Sequence, residues 1–409
     1  RDVAPSRGLG DVYKRQAFFS SFANIKGYDE LRYEPFVPQP SIELAARKTK
    51  DIWKAIREKD VLVHHPYETF ATVENFIRTA ADDEAVLAIK QTLYRVSSKS
   101  PIISALADAA RNGKQVTVLM EVKARFDEEN NIIMARRLEE AGCHVIYGIL
   151  GLKTHSKITM VVRREEDGIR RYCHLATGNY NGSTAKIYTD IGLMTADNEI
   201  GVDGSRFFNF LSGFSDPPAW NKLIVAPLNL RETIMAEIDQ EIEHAKRGEH
   251  AYIAAKMNSL LDRLIIAKLY EASAAGVKID LIVRGICVLR PGLPEISENI
   301  HVRSIVGRFL EHSRILYCYN GGREDVFISS ADWMPRNLNN RVELMIPIRE
   351  QDHKNRLHAI LQTYLKDNTK AYLMRSDGSY VRASCRKGMT PIGAQKTFME
   401  TALSGKTLG

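Results

Sequence analysis

Short apolar runs alternate with amphipathic stretches along most of this chain. Asp60–Tyr67 predicts a short strand broken by Pro66, Thr72–Ala80 a helix, and Ala85–Leu93 a buried strand that delivers Tyr94 and Arg95 to the loop at its end. Ile103–Arg111 reads as a helix, Val116–Val122 as a strand ending in Lys123-Ala124-Arg125, and Asn131–Ala141 as a helix stopped by Gly142. A helix over about Ile42–Glu58 precedes them, entered through the proline-spaced Tyr33–Pro40. Further on, Ile158–Arg163 and Tyr172–Thr177 read as strands around a charged hairpin. This alternation predicts an α/β layer with a largely parallel sheet, whose sites lie at the carboxyl ends of strands. Arg95, Arg125 and His155 fall at or near such ends.

The pattern then runs a second time. Glu232–Lys246 predicts a helix, Tyr252–Ala255 a strand, Leu260–Ala275 a long helix, and Ile279–Val283 a strand ending in Arg284. Residues 351–365 predict a terminal helix, and the tail past Asp367 is basic and loosely patterned. Identities repeat along with the pattern. His155-Ser156-Lys157-Ile158 returns as His312-Ser313-Arg314-Ile315, and Ala176-Thr177-Gly178-Asn179-Tyr180 as Ser329-Ser330-Ala331-Asp332-Trp333. Eleven positions after Asn179 stands Asp190, and eleven after Asp332 stands Glu343. The chain therefore carries an internal duplication of about 160 residues, enough for one domain per copy, with Pro217, Pro218 and Trp220 at the border.

Composition narrows the partners. The 409 residues suggest two to three domains, and 44% hydrophobic residues is ordinary for a globular chain. Lys+Arg 57 against Asp+Glu 50 leaves a net charge of +7, which favours anionic partners: nucleic acid, nucleotide, inorganic phosphate chains or an acidic membrane surface. Cys143, Cys173, Cys287, Cys318 and Cys385 are odd in number and mostly inside apolar runs, so they read as reduced core residues. No apolar run approaches a membrane span and no signal-peptide layout is visible, so a cytoplasmic setting is expected. Residues 1–16 lack a starting methionine and show no apolar period, and are expected to be a truncation or reading-frame artefact. His64-His65 has no partner at ligand spacing and reads as a loop anchor rather than a metal site. Ser404-Gly405-Lys406-Thr407 imitates the end of a phosphate-binding loop without its leading glycine or strand.

His155 and Lys157 stand two apart where a strand is expected to begin, which puts them on one face. A cation beside an imidazole makes a phosphate site, because the cation draws in the anion while a ring nitrogen attacks. Alone, such a pair is most often just a polar strand edge; the second copy at His312 and Arg314 is what gives it weight. Arg314 replaces lysine and Asp332 replaces asparagine, so the halves have diverged. Divergence implies divided labour, one histidine as nucleophile and one as acid/base, with Asp332 or Glu343 orienting His312.

Paired units of this kind resemble the phospholipase D superfamily, in which two halves face each other across one site. The aspartate usual seven residues after each histidine is here Val162 and Tyr319. Longer runs are similar to the bacterial polyphosphate kinases of the histidine-phosphorylating type. They are His64-His65-Pro66-Tyr67, Ile89–Arg95, Glu121–Glu128, Thr177–Asn181, Tyr188-Thr189-Asp190, Val283–Cys287, Ile296–Ile300 and Ala331–Met334. The resemblance runs from about Ala17 to Arg382. It implies two tandem phospholipase D-like α/β domains, 42–218 and 219–409, each a mostly parallel or mixed sheet flanked by helices, with the active site between them. Residues 17–41 would be the remnant of a preceding helical domain and linker.

The same resemblance implies reversible transfer of the terminal phosphate of ATP to inorganic polyphosphate, with Mg2+. It makes His155 the phosphorylated nucleophile, and His312 both the acid/base and, with Tyr188 and Arg284, part of the ATP site. Lys157, Arg314 and Asn179 would hold phosphate. Arg95 and Arg125 match positions assigned to magnesium, but a guanidinium has no lone pair to offer, so they are expected to clamp phosphate beside the ion. Partners would be ATP or ADP, polyphosphate and further copies of the full-length protein, with peripheral membrane association left open. A phospholipase D-type phosphodiesterase or phosphatidyltransferase would use the same histidines without a nucleotide site. A non-catalytic nucleic-acid-binding protein fits the charge but lacks aromatic-interleaved basic patches and a helix-turn-helix signature.

Overall fold

The computed structural model describes residues 22, 25–47, 51–97, 100–121, 128–149, 151–213, 216, 219–386 and 388–408. The residues up to Val37 and those from Pro38 onward form separate bodies. In the first, a 3-10 turn at Asp29–Leu31 is closed by an Arg32–Asp29 ion pair. Everything below concerns the second.

The first half supplies the strands β1 (Val61–His65), β2 (Val86–Leu93), β3 (Gln115–Met120), β4 (His144–Ile146), β5 (Lys153–Thr154), β6 (Ile158–Glu165), β7 (Gly168–Ala176) and β8 (Tyr188–Thr195). The second supplies β9 (Ile224–Ala226), β10 (Tyr252–Met257), β11 (Lys278–Val283), β12 (Ile300–Ile305), β13 (Leu310–Glu311), β14 (Ile315–Cys318), β15 (Asp325–Ser329) and β16 (Arg341–Ile348). A hairpin, β17 (Ala371–Met374) and β18 (Tyr380–Arg382), follows. One sheet runs β1-β8-β7-β6-β2-β3-β4, and the other β17-β12-β11-β10-β14-β15-β16 with β9 beside β16 and β18 beside β17. Read outward from the middle, the orders 8-7-6-2-3-4 and 16-15-14-10-11-12 are the same order, so the duplication holds strand for strand. The sheets are mixed rather than largely parallel. β2–β3–β4 and β10–β11–β12 are parallel, while β6, β7, β8 and β14, β15, β16 return antiparallel. Short connections reverse β7 against β6 and β15 against β14, while β6 and β14 already enter antiparallel to β2 and β10.

Apolar spacing builds the layers around each sheet. In the helix Ala71–Asp82, Val73, Phe76, Ile77 and Ala80 fall on one buried stripe and join the core with the helices Pro101–Arg111 and Glu128–Glu140. Burial of Phe76 alone contributes roughly 1.5–3 kcal/mol. The helices Leu230–Lys246 and Arg263–Ala274 play the same part in the second half.

Several expectations change. The helix expected over Ile42–Glu58 is two, Ile42–Ala46 and Ile52–Glu58, the second started by the Asp51 carboxylate accepting from Trp53 N and Lys54 N. The helix expected from Leu260 begins at Arg263, capped by Asp262. His64 and His65 are not a loop but buried in β1. The helix Gln351–Lys366 is not terminal: β17 extends the second sheet, and a helix Ala394–Leu403 packs Phe398 against His64, Tyr67 and Tyr364. Arg356 of the helix Gln351–Lys366 bridges back to the first half through Glu68 at 2.6 Å, Glu43 at 2.9 Å and Leu62 O at 2.8 Å.

Two short strands are exchanged. β5, from the first half, pairs in parallel with β16 of the second, Lys153 opposite Arg341 and Thr154 opposite Val342. β13, from the second half, pairs in parallel with β8 of the first, Leu310 opposite Tyr188 and Glu311 opposite Thr189. Each exchanged strand is the one immediately before a histidine.

Candidate active site

His155 and His312 lie not on strands but in three-residue links, between β5 and β6 and between β13 and β14. Both backbones are tied to the opposite half. His155 N and Ser156 N donate to Val342 O at 2.9 Å each, and His312 N donates to Thr189 Oγ1 at 3.2 Å. On its own side, Ser156 O accepts from Thr92 Oγ1 at 2.9 Å, and Ile158 N donates to that same hydroxyl at 3.1 Å.

Continuing each exchanged register by one residue brings a histidine to an acid of the other half. His155 Nδ1 lies 2.9 Å from Glu343 Oε2, which accepts in line, and 2.8 Å from Oε1. His312 Nδ1 lies 2.8 Å from Asp190 Oδ1 and 3.0 Å from Oδ2. This corrects the sequence expectation that Asp332 or Glu343 orients His312. Asp332 instead pairs with Arg314, Nη2 to Oδ2 at 3.1 Å, and accepts from Asn258 N at 2.7 Å. Asn258 Oδ1 in turn accepts from Arg284 Nε at 2.9 Å and Nη2 at 2.7 Å, so Arg284 joins the same network.

The two imidazoles sit in unlike electrostatic surroundings. Burial, then Lys157, Arg341 and Arg314, hold His155 well below the ordinary histidine range. His312 is also pushed down by burial, but the Asp190 carboxylate works against the shift. Asp190 is pushed up by burial, yet His312, Thr177 and Arg314 outweigh that and keep it below its usual value. Glu343 is raised by burial despite Lys157 and Arg341. Lys157 is fully buried, 2.9 Å from His155 Nδ1, and donates to His155 O. Burial pushes its ammonium down to about 7.

Other expected residues are close by. Tyr188 sits with its ring 5.3 Å from that of His312. Arg95 is the second residue past β2, beside Tyr94, whose ring meets the His155 ring edge-on at 4.8 Å and has Lys153 Nζ at 5.5 Å and Lys157 Nζ at 5.9 Å. Asn179 is half-buried, and its Oδ1 has no hydrogen-bond partner among the described residues. Arg125 lies outside the described residues. Among those described, no group of three His, Cys, Asp or Glu side chains is placed to hold a metal ion.

Arg341 was not anticipated. It precedes Glu343 by two, as Tyr188 precedes Asp190, and its Nη1 lies 3.8 Å from Glu343 Oε1. The internal repeat carried that signal.

Two α/β domains, each giving a histidine, with the acids crossed between them, define the phospholipase D-like fold in tandem. The phosphatidylserine synthase of Haemophilus influenzae has this fold, with a TM-score of 0.52 at 9% identity over 85% of this chain and 93% of that one. The family model for polyphosphate kinase C-terminal domain 1 matches residues 51–217, and that for C-terminal domain 2 matches 223–395. A polyphosphate kinase from Halalkalibacterium halodurans is 57% identical over 378 residues, 92% of this chain and 53% of that protein. The crystal structure of polyphosphate kinase from Porphyromonas gingivalis superposes with a TM-score of 0.86 at 40% identity, over 93% of this chain and 58% of that one. The chain belongs to the polyphosphate kinase family. It spans about half the length of the curated relatives it matches.

Proposed function

We propose that the protein containing this chain moves the terminal phosphate of ATP reversibly to inorganic polyphosphate through a phosphohistidine at His155. The observation that carries this is the unlike state of two crossed His–acid pairs. With Nδ1–H given to Glu343, His155 stays neutral and keeps the Nε2 lone pair for in-line attack on the γ-phosphorus. The bond from phosphorus to the ADP oxygen breaks as the P–N bond forms. His312, made more basic by Asp190, donates a proton to that oxygen or steadies its charge. In the second step a terminal oxygen of the polyphosphate chain attacks the phosphorus, the P–N bond breaks, and the chain is longer by one unit.

In this reading Lys157, Arg314 and Asn179 hold phosphate oxygens, and Tyr188 and Arg284 hold the nucleotide. Phosphoryl transfer spreads charge over non-bridging oxygens, so positioned cations supply most of the catalysis. A bound phosphate dianion would also draw a proton onto Lys157. The arginines assigned to magnesium by resemblance do not fit as ligands, since neither can donate a lone pair; Arg95 and Arg125 are proposed to grip phosphate in a bidentate manner. The domains are proposed to span 42–218 and 219–409. No helix among the described residues is long and apolar enough to cross a membrane, and we place the reaction in the cytoplasm, in a homo-oligomer of the full-length protein.

Labelling decides the matter. The full-length protein given ATP labelled in the γ-phosphate should yield an acid-labile, base-stable phosphoprotein that polyphosphate discharges. His155→Ala should take up no label. Label retained in His155→Ala but lost in His312→Ala would reverse the two roles, and turnover of a phosphodiester without ATP would replace the reading.

A further inference from the structure

Behind each crossed carboxylate stands one fully buried hydroxyl from the same half. Thr177 Oγ1 lies 2.6 Å from Asp190 Oδ1, and Ser330 Oγ lies 2.5 Å from Glu343 Oε2. The two arrangements agree bond for bond. Ile191 N donates to Thr177 Oγ1 at 3.0 Å, and Leu344 N to Ser330 Oγ at 3.0 Å. Thr177 N donates to Ile191 O, and Ser330 N to Leu344 O, both at 2.9 Å. Ser330 Oγ also lies 3.4 Å from Leu344 O, a longer and weaker contact than that to the carboxylate. A hydroxyl that accepts a backbone N–H still has its own proton to give, so its donor direction is settled by the backbone. The nearest acceptor in both copies is the carboxylate.

We propose that Thr177 and Ser330 are positioning residues that hold Asp190 and Glu343 as charged, singly oriented acceptors and thereby set the Nδ1–H tautomer of His312 and His155. The proposal rests on the phosphotransfer reading of this site. A carboxyl proton on the bonded oxygen would oppose the hydroxyl proton, so the hydroxyl disfavours the neutral acid. A carboxylate fixed in this way can only accept from the imidazole. Nδ1 must then carry the hydrogen, and the lone pair falls on Nε2. The device appears twice in two diverged halves, Thr with Asp in one and Ser with Glu in the other. Other groups share the load. Glu343 is also faced by Lys157, Arg341 and Arg314, and Asp190 by His312 and Arg314.

The test uses the full-length protein. Ser330→Ala and Thr177→Val should slow phosphohistidine formation by about 10- to 100-fold, and should move the acid limb of the pH–rate profile to higher pH. Thr177→Ser and Ser330→Thr, which keep the hydroxyl, should restore both rate and profile. A hydroxyl that merely closes the backbone ladder would leave the pH limb where it is. Folded Ser330→Ala and Thr177→Val proteins with wild-type rate and profile would overturn the proposal. Should Thr177→Val not fold, Ser330→Cys keeps the size with a weaker donor, and a wild-type pH profile there overturns the proposal equally. Should the wild-type protein take no phosphate from ATP, the functional reading fails by itself. Nitrogen NMR of labelled histidines would then still report on positioning, with Nδ1–H expected in the wild type and a tautomer mixture in Ser330→Ala; the same tautomer in both would overturn it.

Discussion

Replacing Asp190 with asparagine tests the crossed pairing where it matters most. The substitution keeps size and an acceptor oxygen but removes the charge that stabilises a His312 imidazolium 2.8 Å away. A hydrogen bond to a charged group is worth roughly 1.5–3 kcal/mol, which corresponds to about a 10- to 150-fold loss in rate. The loss cannot exceed that of deleting the acid itself, since general acid catalysis is worth about 10²- to 10⁴-fold. The sign for pH follows from the same contact. Without Asp190, His312 loses the group that raises its pKa, so the limb that requires a protonated acid moves to lower pH. Rapid-quench labelling with ATP in the full-length protein gives the rate, and repeating it across pH gives the limb. Because both residues act through one proton, Asp190→Asn combined with His312→Gln should be no slower than His312→Gln alone. Multiplying effects in that double variant, or an unchanged rate and limb in a folded Asp190→Asn, would refute the reasoning.

Gly178→Ala should mimic Asp190→Asn in rate while leaving the fold intact, because a Cβ there would stand 2.2 Å from Asp190 Oδ2 and displace the carboxylate; circular dichroism beside the labelling rate checks it, and wild-type activity would count against it. Lys157 bears on stability. With its folded pKa near 7 against 10.5 in the free side chain, the unfolded chain binds more protons between those values, so the ligand-free protein gains stability as pH rises through that window. The slope is at most about 1.4 kcal/mol per pH unit, and should be flatter in Lys157→Met by urea unfolding at pH 7 and 9.5; parallel slopes would contradict the assignment. Phe398→Ala should cost about 3–5 kcal/mol in denaturant unfolding, since the ring is buried against Tyr67, Tyr364 and His64; a loss under about 1 kcal/mol would show that the C-terminal helix is not part of the core.

The duplication was legible because it is written in side-chain identity as well as in pattern. His155 and His312, Asn179 and Asp332, Asp190 and Glu343 can be aligned without any coordinates. What could not be read is the partner of each histidine. β5 and β13 are two residues long, too short for any period, and their pairing with β16 and β8 is a long-range choice fixed by packing. The order of residues along the sequence therefore leaves Glu343 with His312, the histidine of its own copy. Arg341 was overlooked although the repeat aligns it with Tyr188, since an arginine and a tyrosine share no chemistry that calls for comparison. The tail past Asp367 is loosely patterned for a different reason. β17 and β18 are short, β18 is the edge strand, and polar residues such as Arg375 in the turn and Arg382 on the edge are exposed and blur the alternation. The charged hairpin between Ile158–Arg163 and Tyr172–Thr177 is readable in the sequence, and it agrees with the mixed sheet that the resemblance allows.

The exchange of β5 and β13 also bears on how such a molecule could have arisen. Since each half gives a carboxylate to the other's histidine, one half by itself has an imidazole without its acid and an acid without its imidazole. A single ancestral half could have worked only as a two-fold dimer whose copies traded strands, giving two equal histidines across the axis. Joining the copies in one chain removes the requirement that they be identical. The tether lets one side keep lysine and asparagine while the other takes arginine and aspartate. A symmetric pair of ancestors could not have varied one site without the other.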